Sequence, residues 1–153
     1  MRSAPFTKEC SSEQLCNILK SVPKVGFTMH EWALAEAVIS AVSETAAKEK
    51  GLAVFSRIDH AGAAAKIQEK LRPTELIIVG SPAVGTKLML CGQTIGIDLP
   101  LKALIWQDDK GAVMLSYNDP AYLAQRHNLK GCDPVVKKIG DMLSSLANVA
   151  IAP

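Results

Sequence analysis

Leu76-Ile77-Ile78-Val79-Gly80-Ser81-Pro82-Ala83-Val84-Gly85-Thr86-Lys87 is the stretch whose reading decides the fold. Four consecutive apolar residues predict a strand that is central in its sheet. Gly80 and Gly85 then carry the glycine spacing of a phosphate-binding loop, G-x-x-x-x-G-K-[ST], but Thr86-Lys87 stands where Lys-Thr is required. The order matters, because exchanging neighbours on a helix turns each side chain by about 100°. Pro82 also removes one backbone N–H from the would-be cradle. The stretch therefore predicts a strand-to-helix turn rather than a nucleotide-hydrolysing loop. An anion remains compatible with the following helix start, where unsatisfied N–H groups and the helix dipole attract negative charge.

On the N-terminal side, Leu52, Val54, Ser56 and Ile58 alternate with Ala53, Phe55, Arg57 and Asp59, which predicts a strand with one dry face. An alanine-rich helix follows from His60 and is closed by Pro73. Further upstream, Leu34, Val38, Ala41, Val42 and Thr45 share a face of a helix over about 31–50. A short helix starts at Ser11, whose spacing to Gln14 suits a capping box. Its stripe is Leu15, Ile18 and Leu19, and Pro23 ends it. Val25 to Met29 reads as a weakly marked strand. These signals divide the chain into an N-terminal helical extension, 1–24, and a single α+β domain, 25–153.

On the C-terminal side, a short helix over 85–92 would bury Leu88 and Met89. Ala103 to Trp106 and Val113 to Tyr117 flank a turn in which Gly111 supplies positive φ, a hairpin signal. Asp119-Pro120 and Asp133-Pro134 each place a carboxylate before a proline, the pattern of a capped helix start. The last helix carries Val135, Val136, Ile139, Met142, Leu143 and Leu146 on one face.

Composition narrows the function classes. The 153 residues are enough for one domain with a real core, and 48% are apolar. Seventeen basic and fifteen acidic residues are mixed along the chain, with a net charge of +2. No concentrated basic face is marked, so nucleic acid is not an expected partner. No apolar run approaches the roughly 20 residues that span a bilayer, so no membrane partner is expected either. MRSAPFTKEC lacks an apolar signal core, although Arg2 and Ser3 leave an organelle-targeting reading open. Cys10, Cys16, Cys91 and Cys132 form no CxxC pair, which suits free thiols in a reducing cytoplasm. His30, His60 and His127 are scattered, so no metal site is expected. The sequence names no cofactor, and Gly-x-Ser-x-Gly is absent.

Several blocks occur together and in order. They are Phe55-Ser56-Arg57-Ile58-Asp59-His60-Ala61-Gly62-Ala63-Ala64, then Leu71-Arg72-Pro73-Thr74-Glu75 running into Leu76–Pro82, then Gly85-Thr86 with Leu88-Met89. Asp98-Leu99-Pro100-Leu101-Lys102-Ala103-Leu104-Ile105-Trp106 and Tyr117-Asn118-Asp119-Pro120-Ala121-Tyr122-Leu123-Ala124-Gln125-Arg126-His127 continue the series. Together they resemble the bacterial family known as domain of unknown function 302, most strongly over 51–130. The resemblance implies a TATA-binding-protein-like α+β fold, a curved antiparallel sheet with helices packed on one face. It also implies self-association, here a homodimer. It implies no established activity. Ser81 stands where the family usually has Asn, so a side-chain amide role at that turn does not carry over.

Polar residues gather at element ends. His60 could act as acid or base, with Asp59 holding its tautomer, or the pair could simply cap a helix. Arg126 offers a planar fork to a carboxylate or phosphate, and His127 adjoins it. The expectation is one shared pocket for a small, possibly anionic ligand, lined by His60, Gly80, Ser81, Pro82, Gly85, Thr86, Asn118, Arg126 and His127. Two other readings stand beside this binding or sensing module. One is an enzyme using His60. The other is a structural protein in which these residues only specify turns and a dimer surface.

Overall fold

The computed structural model describes residues 19–23 and 52–151. In chain order the elements are β1 (Leu19–Pro23), β2 (Ala53–Asp59), α1 (His60–Lys66), β3 (Thr74–Gly80), α2 (Pro82–Cys91), a 3-10 turn (Gln93–Ile97), β4 (Leu101–Gln107), β5 (Val113–Asn118), α3 (Pro120–Arg126) and α4 (Asp133–Ile151). The strands form one five-stranded sheet in the order β1-β5-β4-β3-β2. Every neighbouring pair is antiparallel. This is an α+β architecture.

Side chains alternate across the sheet, so register decides which residues reach the core. Ile77 lies beside Ala103, which lies beside Tyr117, and Glu75 beside Ile105, which lies beside Leu115. That face meets Leu88, Ile95, Leu123, Ile139, Leu143, Leu146 and Ala147 from the helices and the 3-10 turn in one apolar core. Leu76, Ile78, Leu104 and Trp106 occupy the opposite face and are only half-buried. The run Leu76–Val79 is therefore central, with β2 and β4 on its two sides, but it is dry on one face only.

Glu75 is a charged member of the core face and is buried, and Arg57 on β2 forms an ion pair with it. That pairing is what a buried carboxylate requires. In β4–β5 the predicted hairpin is present. Asp108 Oδ1 accepts N–H groups of Lys110 at 2.9 Å and Ala112 at 2.8 Å, while Gly111 takes a φ of +83°.

Four sequence expectations need correction. First, Leu19 belongs to an edge strand and not to the stripe of a helix, because the backbone of 19–23 joins the β5 ladder, with Leu19 opposite Asn118. The rest of that predicted helix, 11–18, together with the predicted helix over 31–50 and the strand over 25–29, lies outside the described residues. Second, β2 has no dry face beyond Leu52 and the half-buried Val54. It is an edge strand, and an irregularity between Val54 and Ser56 shifts its register. Third, Leu88 is buried but Met89 is exposed, since neighbouring helical positions point about 100° apart. Fourth, Asp133 is the first residue of α4, and the carbonyl of Cys132 accepts the N–H groups of Val135 and Val136.

The cysteines also depart from expectation. Cys91 and Cys132 form a disulfide, 41 residues apart in sequence with Cα atoms 6.3 Å apart. Packing α2 and α4 on the same sheet face brings the end of one to the start of the other, a proximity that spacing along the chain does not reveal. Cys10 and Cys16 lie outside the described residues.

Candidate functional site

The glycine-proline bend forms one side of a cavity of about 620 Å³. Gly80 ends β3, and a Cβ there would lie 3.0 Å from Pro100 Cβ and 3.7 Å from the Phe55 ring. Glycine leaves room for Pro100, which follows a cis Leu99–Pro100 bond and packs close to the strand end. Ser81 is extended and precedes Pro82 at the start of α2, and its hydroxyl makes no capping bond. Its carbonyl accepts the N–H groups of Val84 at 3.1 Å and Gly85 at 2.8 Å. With Pro82 lacking an N–H, few donors remain to cradle a phosphate. The geometry thus agrees with a turn and not with a nucleotide loop.

Five predicted residues, Gly80, Ser81, Pro82, Gly85 and Thr86, line this cavity. The remaining walls are largely apolar: Leu52 and Phe55 from the start of the β2 segment, Val84, Leu88 and Met89 from α2, Leu99 to Leu101 ahead of and into β4, and Ile139 and Met142 from α4. Lys138 is a charged member of the lining. Sequence reasoning missed the contributions of Phe55, Leu99 and α4. Periodicity marked the α4 residues as inward-facing without saying whether they meet packed neighbours or a hollow, and it set Phe55 on the face opposite Leu52 and Val54, so no local signal placed that ring in the lining.

The other four candidates lie elsewhere, so the single convergent pocket expected from the sequence does not form. His60 is exposed at the first position of α1. Ala53 pairs with Gly80 while Asp59 pairs with Glu75, which sets His60 at the far end of the ladder. Six residues of strand separate the two ends by ~20 Å. Asp59 is the cap, and its Oδ1 accepts the Gly62 N–H at 2.7 Å. Asn118 lines a separate concavity of about 520 Å³ with Leu76, Leu104 and Trp106 on the opposite sheet face.

Arg126 and His127 converge on Asp98. The His127 ring nitrogen Nε2 lies 2.6 Å from Asp98 Oδ2, and Nδ1 lies 3.1 Å from Thr94 Oγ1. Arg126 Nη1 is 3.4 Å from the same Asp98 oxygen. The His127 side chain is 8% exposed and that of Asp98 14%. These groups tie the end of α3 to the 3-10 turn, whose Gly96 and following Leu99 face the cavity. In this arrangement they adjoin that wall without lining the cavity. Among the described residues, no group of three or more His, Cys, Asp or Glu side chains is placed to hold a metal ion.

A sheet with described helices packed on one face and a lined cavity at the β3–α2 bend make an α+β domain. The family model described as domain of unknown function DUF302 matches residues 30–146, and the chain belongs to that family. The uncharacterized conserved protein DUF302 from Bacillus stearothermophilus has a similar crystal structure. Its TM-score is 0.74 at 13% identity, covering 87% of this chain and 98% of that one. The chain is also similar to Fluoride-specific ion channel FluC 1 of Brucella suis biovar 1, with 51% identity over 94 residues, 60% of this chain and 37% of that protein. Fluoride-specific ion channel FluC 1 of Brucella abortus biovar 1 is similar at the same identity, with 35% of its length covered. The chain thus spans little more than a third of these relatives. Among the described residues, no helix is long and apolar enough to cross a membrane.

Proposed function

We propose that this chain is a small-molecule-binding or sensing module whose ligand occupies the cavity at the β3–α2 bend. The observation that carries the reading is the cavity itself. It is open, about 620 Å³ in volume, and lined mainly by aliphatic and small residues with Ser81, Thr86 and Lys138 among them. Ligand sites generally have this character: a mostly apolar pocket of ~300–1,000 Å³ with a few polar groups to orient the ligand. The matching ligand is a compact apolar body with one polar or anionic end. The reading includes the cytoplasmic setting expected from the sequence.

The Brucella relatives bear the name of a fluoride-specific ion channel. We infer that this stretch is a non-conducting module that can accompany an ion-transport protein. Its support is the partial coverage of those relatives together with the lack, among the described residues, of a helix able to span a bilayer.

The test uses the fluorescent apolar anion 8-anilinonaphthalene-1-sulfonate. Saturable binding is expected for the native protein. It should be lost in Gly85→Leu, whose side chain projects toward Leu99, since a Cβ at Gly85 lies 3.7 Å from Leu99 Cδ1. Equal binding by the two proteins would reject the cavity as the site.

Homodimerisation is a second reading, favoured by β2. It is an edge strand, with Phe55 54% and Ile58 38% exposed, and such edges pair readily with another chain. Ile58→Lys should shift sedimentation from dimer to monomer. A species of monomer mass already present in the unaltered protein would reject this surface.

A further inference from the structure

We propose that Cys91–Cys132 is a redox clasp on the cavity, holding it in its binding form when oxidised and loosening it when reduced. The proposal rests on the ligand-binding reading above. Cys91 is the last residue of α2 and Cys132 immediately precedes α4. Both helices wall the cavity, α2 through Val84 and Met89 and α4 through Ile139 and Met142. The bond therefore joins two walls of one site.

The two walls are held very differently. Along α4, Ile139, Leu143, Leu146 and Ala147 are all buried in the core. Leu88 is the one buried residue of α2, whereas Leu90 is 82% exposed and Gly85 interrupts the helix interior. Glycine there weakens the helix, and a helix of ten residues has little stability without packing. The covalent bond fastens a weakly held wall to a firmly held one. In a reducing cytoplasm such pairs are characteristically transient or redox-sensing.

The chemistry is thiol–disulfide exchange with a dithiol reductant. Cys91 is half-buried and Cys132 only 4% exposed, so the sulfur of Cys91 is the accessible target. A reductant thiolate attacks Cys91 Sγ, forms a mixed disulfide and expels the Cys132 thiolate. The second reductant thiol then displaces the Cys91 thiolate and closes the reductant's own disulfide. Two electrons pass to the protein, and two protons convert its thiolates to thiols. A small-molecule disulfide as oxidant reverses each step.

The experiment titrates 8-anilinonaphthalene-1-sulfonate into full-length protein in both redox states, with Cys91 and Cys132 assigned by alkylation and mass mapping. Reduction should weaken binding about fivefold or more, and reoxidation should restore it. Amide hydrogen exchange should accelerate across α2 while β3 to β5 stay protected, with far-UV circular dichroism unchanged. Cys132→Ala should reproduce the reduced behaviour; should that variant not fold, the reduced native protein decides. The same affinity in both states overturns the clasp and leaves the cavity reading intact. No saturable binding to the oxidised protein overturns both. Loss of the circular dichroism signal on reduction overturns the clasp, because the bond would then support the whole fold and not one wall.

Discussion

Asp59 accepts the Gly62 N–H at 2.7 Å, and a Cβ at Gly62 would lie 2.3 Å from the Asp59 carboxylate. The glycine is what lets that carboxylate settle over the helix start. His60, beside it in sequence, is exposed. Asp59→Ala should lower stability by about 1 kcal/mol in urea denaturation, whereas His60→Ala should stay within about 0.5 kcal/mol of the native value. An equal loss in both would contradict the capping assignment. Asp98 serves a different purpose, since it meets His127 and Arg126 together. Removing it in Asp98→Ala leaves a nearly buried imidazole nitrogen without its partner, and the cost should be about 1–3 kcal/mol. Thermal unfolding of the variant with and without a His127→Leu change would check this, because the second change removes the orphaned group.

Among the elements, α4 is the clearest case of a helix made by its apolar stripe, with Ile139, Leu143 and Leu146 buried on one face. Gly140 lies inside it, and a Cβ there would meet nothing within 4 Å. Gly140→Ala should therefore raise unfolding stability by about 0.5–1 kcal/mol, and a decrease in chemical denaturation would show a contact absent from this arrangement. In β3, four consecutive apolar residues suggest burial on both sides, yet Ile77 and Val79 are buried while Leu76 and Ile78 are half-buried. Hydrophobic run length indicates centrality in a sheet but does not report how many faces are covered. For α2 the sequence marked a strand-to-helix turn but set the helix start at Gly85, three residues past Pro82 where it begins, and the exposure of Met89 was not legible, because adjacent apolar letters do not say which one faces inward.

At the scale of the molecule, the disulfide closes a chain segment with a sequence separation of 41. The chain-entropy account assigns a loop of that size roughly 4 kcal/mol, with engineered cases commonly giving less. Cys91→Ala should thus lower unfolding stability by about 2–4 kcal/mol in calorimetry or denaturant titration. A loss well under ~1 kcal/mol would mean that the reduced chain is already constrained there. The same scale governs the site. The nine candidate residues divide into a cavity group around Gly80, a tie around Asp98, an isolated His60 and an Asn118 on the other sheet face. Most of these residues were legible as lying at element ends, whereas Gly85 and Thr86 fall inside α2. Which ends adjoin depends on strand register and on the face each helix chooses, and both are set by contacts distant in sequence.

What the sequence determined by itself follows from short-range rules. Asp119-Pro120 begins a helix, Gly111 turns a hairpin, Leu76–Val79 makes an interior strand that leads into a helix, and the ordered blocks mark the family. These outcomes depend on backbone freedom and on periodicity within a few residues. Only the tertiary structure decided that Cys91 meets Cys132, that α4 completes a wall opposite the Gly80 bend, and that His60 lies at the far end of the β2–β3 ladder. Those facts depend on which distant apolar surfaces exclude water together, and hydrophobic attraction carries no directional label that a local stretch of sequence could display.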